Sequence, residues 1–328
     1  MTFGPWSNGP AKNVVWPVCL EQLVLGRYFN QPLEGFVWPA SLQHLTFGTH
    51  FNQSVERMVW PRSLRHLKFG DRFNQPVHRV VWPATLESVW FGDGFDQSLD
   101  RSAFPASLER LKFGHYFNRP VDKVVWPAFL KYLTFGSCFN RPIKTVVFPA
   151  SLVCLTFGRR FDHLILEVAW PPSLERLTLG ACFCQPTQGV TWPVSLLHLT
   201  FGGPLTRHME VVGFPASLQS LTFGDHFNQP IHRVVWPTSL RRLTFGLDFN
   251  QPIHRVRWPA SLECLEFGRH FDKPVDAVVW PTSLRRLSFG FQFNRPIHEV
   301  VWPTSLQSVS FGLLFNQPLG AVEWPALL

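Results

Sequence analysis

The sequence predicts a β-rich solenoid, in which parallel strands stack along a row of equal coils with little or no α-helix. An aromatic-Pro pair recurs every 22 residues from Trp16-Pro17 to Trp324-Pro325, without insertion or deletion. A leucine follows three residues after each of these prolines, from Leu20 to Leu328. A fixed period of this length is typical of stacked units that contact only their neighbours.

The first half of each coil is predicted to be a short strand. Leu42, Leu45 and Phe47 are spaced so that Leu45 and Phe47 point to one face of a strand, while Thr46 points to the other. Gly and Pro would mark the corners, because Gly48 can adopt a positive φ and proline cannot donate to a β-ladder. We therefore expect columns of phenylalanine and tryptophan to stack inside the solenoid.

The second half of the coil repeats this spacing at Val55, Met58 and Trp60, which allows a second strand. An asparagine column that includes Asn30 and Asn52 is expected at a corner. There its amide can bond the backbone of the next coil, where corner groups otherwise have no partner.

The period predicts one array over residues 1–328, with a partial repeat at each end. Between residues 159 and 213 the pattern weakens, although the length of the repeat is kept. The departures are Phe161-Asp162-His163-Leu164, Phe183-Cys184-Gln185-Pro186 and Leu205-Thr206-Arg207-His208. These coils should stack less tightly. Solenoid ends without polar caps expose core and strand edges, which predicts end-to-end self-association or an incomplete chain.

Composition narrows the class of protein. The chain is 45% hydrophobic and 16% charged, which suits a buried core and excludes disorder. It has neither a signal-like start nor an apolar stretch near ~18 residues, so no membrane association is expected. The six cysteines form no framework of paired spacings, which favours reduced thiols in an intracellular, cytoplasmic protein.

No enzyme motif is present: the sequence lacks a nucleophile elbow, a His-Glu-x-x-His pair, a phosphate loop and a Ca²⁺ loop. His232 and His254 share a column but have no Cys or carboxylate partners at ligand spacing, so they make a poor metal site. Cys182 and Cys184 are a pair of thiols without a second pair. We therefore expect neither catalysis nor a cofactor nor a metal.

Two surfaces are candidates for binding. One is a valine row with Val235, Val279 and Val301 in the later repeats. If that half-coil is a strand, these side chains would point away from the core and form an apolar patch typical of partner surfaces. The alternative is that this side is irregular or covered, and its valines are buried. The other candidate surface is a stripe of seven arginines: Arg233, Arg241, Arg242, Arg255, Arg257, Arg285 and Arg286.

The net charge of +8 permits an anionic partner without requiring one. Adjacent coils could place the arginines as a stripe suited to acidic peptides or phosphates. Acidic residues such as Glu263 and Asp276 interleave with them, so the alternative is a merely solvated face.

The Phe-Asn-Gln-Pro-Ile of residues 249–253, following Leu243-Thr244-Phe245-Gly246, resembles the FNIP repeat of the leucine-rich-repeat superfamily. The resemblance covers essentially the whole chain and implies a leucine-rich-repeat-like solenoid used for protein binding. We expect a non-enzymatic protein-binding or scaffold protein. The alternatives are a protein that binds polyanions or nucleic acid through the later arginines, and a passive fragment of a larger repeat protein.

Overall fold

A computed structural model describes residues 1–9, 14–205 and 212–328. The chain divides into two compact units. The N-terminal unit contains Met1–His163 and Val168–Leu174, and the C-terminal unit contains Leu164–Glu167 and Glu175–Leu328. The border between them lies within the irregular coils predicted for residues 159–213. The interpretation of residues 1–328 as a single array stays a prediction.

The described part of the N-terminal unit has seven strands of three residues each, one per coil. They are β1 (Gln22–Val24), β2 (His44–Thr46), β3 (His66–Lys68), β4 (Ser88–Trp90), β5 (Arg110–Lys112), β6 (Tyr132–Thr134) and β7 (Cys154–Thr156). Successive strands pair in parallel, and Leu23 faces Leu45 in a register of one 22-residue repeat.

The C-terminal unit repeats this arrangement in its described residues. Its strands are β8 (Arg176–Thr178), β9 (His198–Thr200), β10 (Ser220–Thr222), β11 (Arg242–Thr244), β12 (Cys264–Glu266), β13 (Arg286–Ser288) and β14 (Ser308–Ser310). They also pair in parallel with neighbours in sequence, as Leu221 and Leu243 show. The predicted parallel, β-rich solenoid is therefore confirmed, and the described residues contain no helix.

Most strands bury the central residue and turn the two flanking residues outward; Ser88 and Cys264 are buried flanking residues, and Val309 in β14 is only half-buried. In β2, Leu45 is buried while His44 and Thr46 are partly or fully exposed. Within residues 14–205 and 212–328, the second strand that the spacing allowed does not form. Around Val55 and Met58 the chain makes a turn instead, in which the backbone N–H of Met58 donates to the Val55 carbonyl at 3.3 Å. The spacing of Val55 and Met58 indicates that both side chains are buried, and a turn can bury them as well as a strand can.

Three turns close each coil. In one coil the N–H of Leu42 donates to the Pro39 carbonyl at 3.2 Å, and that of Phe51 donates to the Gly48 carbonyl at 3.1 Å. The turn at Met58 is the third. Proline lies first in its turn, where its carbonyl accepts and its missing N–H costs nothing.

The core consists of aromatic columns, as predicted. The rings of Phe47 and Phe69 stack at 5.4 Å between centroids, those of Phe51 and Phe73 at 6.1 Å, and all four residues are buried. Neighbouring strands lie only about 4.8 Å apart. Within each unit, adjacent coils therefore approach one another more closely on the strand side than along the inner ring column.

The recurring glycine has a different cause from the one we expected. In the described residues the glycines with positive φ are Gly35 and Gly189, and neither belongs to the Phe-Gly column. In that column a Cβ on Gly136 would overlap the backbone carbonyl of Gly114, one coil earlier. Close approach of two backbones, rather than a left-handed conformation, requires glycine here.

Two side-chain ladders join the coils away from the strands. The backbone N–H of Asn52 donates to Asn30 Oδ1 at 2.8 Å, and that of Asn74 donates to Asn52 Oδ1 at 2.9 Å. At the next corner, Ser63 Oγ donates to the Leu42 carbonyl of the preceding coil at 2.7 Å. The predicted bond from the asparagine amide to the next coil is confirmed, with the amide oxygen as acceptor.

The weaker stacking expected of the irregular coils stays a prediction, although one ring spacing differs there. In this segment Leu179 replaces the column phenylalanine. The rings of Phe201 and Phe223 lie 6.2 Å apart, against 5.4 Å for Phe223 and Phe245 in the regular column. Leu205 adopts a φ of 42°, which is unusual for a residue with a side chain. Thr206, Arg207 and His208 lie outside the described residues.

Candidate binding surfaces

The valine row is exposed, although its segment is not a strand. The exposed fraction of these side chains lies between 74% and 82%. The members of this valine face are Val37, Val59, Val81, Val125, Val147, Val235, Val279 and Val301. The valines of this row are therefore exposed, and the alternative that they are buried does not apply.

The valine face is most continuous in the N-terminal unit. Val37, Val59 and Val81 follow one another in adjacent coils, and Val59 and Val81 line an open groove with Trp60, Trp82 and neighbouring loop residues. In the C-terminal unit, Arg257 interrupts the row between Val235 and Val279. Val279 and Val301 lie in adjacent coils, so the three valines selected from the sequence form one pair and one isolated member.

The seven arginines do not form a single stripe, and that prediction was wrong. Arg242 and Arg286 begin strands β11 and β13, and Arg241 and Arg285 directly precede them. The other three lie in a different part of the coil: Arg233 and Arg255 occupy the turn before the valine face, and Arg257 lies in the face itself. The spacing in sequence placed these arginines in neighbouring coils, but it did not show on which side of its coil each arginine lies.

One of the strand-side arginines is paired with a carboxylate. Arg241 forms an ion pair of 3.1 Å with Glu263, and both side chains are substantially exposed to water. Nearby, His226 and Asp248 approach to 2.8 Å. Exposed pairs of this kind contribute about 0–1 kcal/mol each, so they indicate a solvated, mixed-charge surface.

A feature of the N-terminal unit escaped the sequence analysis. Trp90 ends β4 in a column that strands β1–β7 otherwise fill with Thr, Lys and Val, and its side chain is 43% exposed. The ammonium groups of Lys68 and Lys112 lie 5.9 and 5.6 Å from the centre of its ring. Beside them, the guanidinium of Arg110 lies 4.1 Å from the Tyr132 ring. The signal in the sequence was the single aromatic residue that breaks a polar column.

Three groups on the strand side have shifted pKa values. Burial, with help from His44, lowers the pKa of His66, and burial with nearby Arg176 lowers the pKa of His198, so both are neutral at physiological pH. The rings of His44 and His66 stack at 4.5 Å. Burial and the neighbouring Glu266 raise the pKa of the Cys264 thiol, which keeps it protonated and unreactive.

Within the described residues, no group of three or more His, Cys, Asp or Glu side chains could hold a metal ion. His232 and His254 occupy equivalent turn positions in successive coils. Nor does the described chain include a helix with the length and apolar character that a membrane span requires.

The FNIP Repeat family model matches residues 8–50, 51–94, 95–138, 139–182, 208–248 and 249–292. No curated protein matches the chain by sequence. Among solved structures, the circular leucine-rich-repeat protein CroV588 is 40% identical, with a TM-score of 0.76. The alignment covers 94% of this chain and 48% of that protein, so this chain spans about half its length.

Two more distant structures show the same fold. Internalin InlF from Listeria monocytogenes is 14% identical over 89% of this chain and 80% of its own, with a TM-score of 0.53. A chain of the Toll–Spatzle complex of Drosophila is 12% identical over 90% of this chain and 47% of its own, with a TM-score of 0.57. The repeat matches and the similarity to CroV588 together establish that this chain belongs to the FNIP repeat family, with a leucine-rich-repeat-like solenoid fold.

Proposed function

We propose that this protein is a non-enzymatic binding or scaffold protein, and that the valine face is a surface for a protein partner. The observation that supports this is a row of valines, each about four-fifths exposed, that recurs in adjacent coils. Exposed valine contributes little to stability, whereas a contiguous apolar row is typical of interaction sites.

The fold is compatible with this role. A solenoid presents the same side of every coil in one direction, which creates an extended surface for a partner. Similarity to a chain of the Toll–Spatzle complex supports the fold alone, and that complex illustrates that such a solenoid can take part in an assembly. The seven arginines are divided between two parts of the coil, and Arg241 is paired with Glu263, so they support polyanion binding less well.

The experiment replaces Val37, Val59 and Val81 by threonine, which has the same shape but carries a hydroxyl in place of a methyl group. We expect the partners captured by the tagged protein from a nuclease-treated lysate to remain bound at about 0.5 M salt, since apolar contacts are not screened. The triple variant should bind them about 50-fold more weakly, because three buried methyl groups at about 0.8 kcal/mol each contribute about 2.4 kcal/mol.

The matched control makes the reverse exchange at three strand-side positions, Thr178→Val, Thr200→Val and Thr222→Val, and should keep the same partners. Both variants should melt within a few degrees of the parent, because all six positions lie on the surface. Loss of the partners after nuclease treatment, or at raised salt, would instead assign binding to the arginines. Equal capture by both variants would refute the valine face as the contact surface.

A further inference from the structure

The strand side of the N-terminal unit carries an exposed cluster that the fold does not require. We call it the tryptophan patch, and it consists of Lys68, Trp90, Arg110, Lys112 and Tyr132. Register places Lys68 and Lys112 directly beside Trp90, on either side of it. Threonine occupies this column in most coils of the protein, so a half-exposed indole is not needed for stacking.

The patch is positively charged, and its cations are not neutralised. The two outward rows of strands β1–β7 contain Lys68, Arg110 and Lys112 but no carboxylate. In the part of the chain that the structure describes, none of these three forms an ion pair. The nearest acidic side chains precede the strands and are already engaged, Glu87 by Arg65 and Glu109 by Lys131, the latter at 2.8 Å.

The rings and cations hold one another in position. Both lysine ammonium groups lie over the same indole, and Arg110 lies over Tyr132. On the adjoining coils, His44, Thr46 and His66 line an open groove that ends at Trp90. Tryptophan, tyrosine and arginine are the residues that most often dominate binding energy when they are exposed together on a surface.

We infer that the tryptophan patch binds an acidic peptide segment of a protein partner. An apolar side chain of the peptide packs on the Trp90 indole, and carboxylates on either side of it pair with Lys68 and Lys112. This inference extends the proposed function to a second surface. The tryptophan patch lies on the strands, whereas the valine face lies on the irregular segments of the coils.

The dimensions fit a peptide that lies across the strands. Lys68 and Lys112 are two strands apart, which corresponds to about 9.6 Å between their backbones. In an extended Glu-x-Leu-x-Glu segment all three named side chains point the same way, and the glutamates are about 13 Å apart. The long lysine side chains can span the difference of a few ångströms at each end.

The surrounding charges favour a peptide over a nucleic acid. Glu87 and Glu109 lie on one flank of the patch, and Asp71 and Asp93 follow the strands on the other flank. A phosphate backbone carries a charge on every nucleotide and would run onto these carboxylates. A peptide can confine two or three carboxylates to the cationic strip, so its charge pattern matches that of the surface.

The test uses a fluorescein-labelled peptide that contains Glu-Ser-Leu-Ser-Glu, and measures its affinity for the full chain by fluorescence anisotropy at low salt. The comparison probes are the same peptide with glutamine for glutamate and a labelled oligonucleotide of twelve deoxythymidines. The variants Trp90→Thr and Lys68→Thr/Lys112→Thr adopt the residue that is commonest in this column, so we expect them to fold. The charge-matched control is Arg79→Thr/Lys123→Thr, at exposed turn positions.

We expect the glutamate peptide to bind the parent chain about tenfold more tightly than the glutamine peptide, and to lose about tenfold in affinity in each patch variant. The control variant should lose less than about threefold, because its charges are outside the patch and are screened. The Val→Thr triple variant should bind the peptide as the parent does, which separates this inference from the valine-face proposal.

Three results would overturn the inference: no binding of the glutamate peptide, equal affinity for the glutamate and glutamine peptides, or full affinity in Trp90→Thr. Tighter binding of the oligonucleotide than of the peptide, with loss in Trp90→Thr, would reassign the patch to single-stranded nucleic acid.

Discussion

The strand side and the valine side of a coil are held together by different forces. On the strand side, backbone hydrogen bonds join the coils, and the outward side chains vary from His44 to Arg110 to Tyr132 along one row. On the valine side, the turn bond of Met58 stays within its coil, yet the same outward residue recurs. Variation is tolerated where the backbone holds the stack. Repetition of an exposed residue is not explained by the backbone ladder, and this is the reason why we propose the valine face as a binding surface.

The largest expected effect tests whether inward and outward residues of the strand side differ in this way. Phe245→Ala removes a ring that is 3% exposed and stacks on Phe249 at 4.0 Å, and it should destabilise the protein by about 3–5 kcal/mol through the cavity it leaves. Arg241→Ala, four residues earlier on the exposed face, should cost less than about 1 kcal/mol. Equal melting temperatures for the two variants would contradict the inward assignment of the phenylalanine column.

A second substitution tests the close backbone approach beside the strands. Gly136→Ala would place a methyl group against the Gly114 carbonyl, and should cost about 1–3 kcal/mol because two coils must separate. Gly320→Ala is the control, since a methyl group there meets no atom within 4 Å. Chemical denaturation of both variants measures the difference, and a neutral Gly136→Ala would show that the coils can move apart freely.

The smallest of the three effects concerns the asparagine corner, where side chains rather than paired strands join the coils. Asn52 Oδ1 accepts from the Asn74 N–H at 2.9 Å and from Gln75 Nε2 at 3.0 Å. Asn52→Ala should cost about 1–2 kcal/mol by leaving that N–H without an acceptor, whereas Asn52→Asp keeps an oxygen in place. Thermal melts of the two variants provide the measurement, and equal losses would mean that the ladder depends on the amide nitrogen instead.

Much of the fold was predictable because the sequence repeats it about fourteen times. Leu45 and Phe47 recur at the same offsets in almost every coil, so errors at single positions did not obscure the core. Two details escaped this averaging. The glycine column was assigned to positive φ because sequence shows the residue but not the neighbouring backbone. The half-coil at Val55 looked like a strand because a turn can bury the same two positions.

The candidate surfaces were less predictable, since they depend on which side of the coil each residue occupies. Arg233 and Arg241 are close in sequence but lie in a turn and beside a strand, respectively. Trp90 was missed for a different reason: it occurs once in its column, and the columns were interpreted from the residues that recur. In this protein the recurring columns predicted the fold, whereas a single departure such as Trp90 became visible as a candidate site only in the structure.

The asparagine ladder has a consequence for how the protein ages. Aspartate already replaces asparagine at residues 96 and 272, where its Oδ1 accepts the same backbone bond at 2.9 and 3.0 Å. Its second oxygen is then paired with an arginine of the next coil, at 3.0 Å for Arg119 and 2.8 Å for Arg295. Where deamidation of a ladder asparagine gives aspartate, it makes this same exchange of nitrogen for oxygen. It would lower the net charge of +8 by one unit per event while the contacts between coils persist.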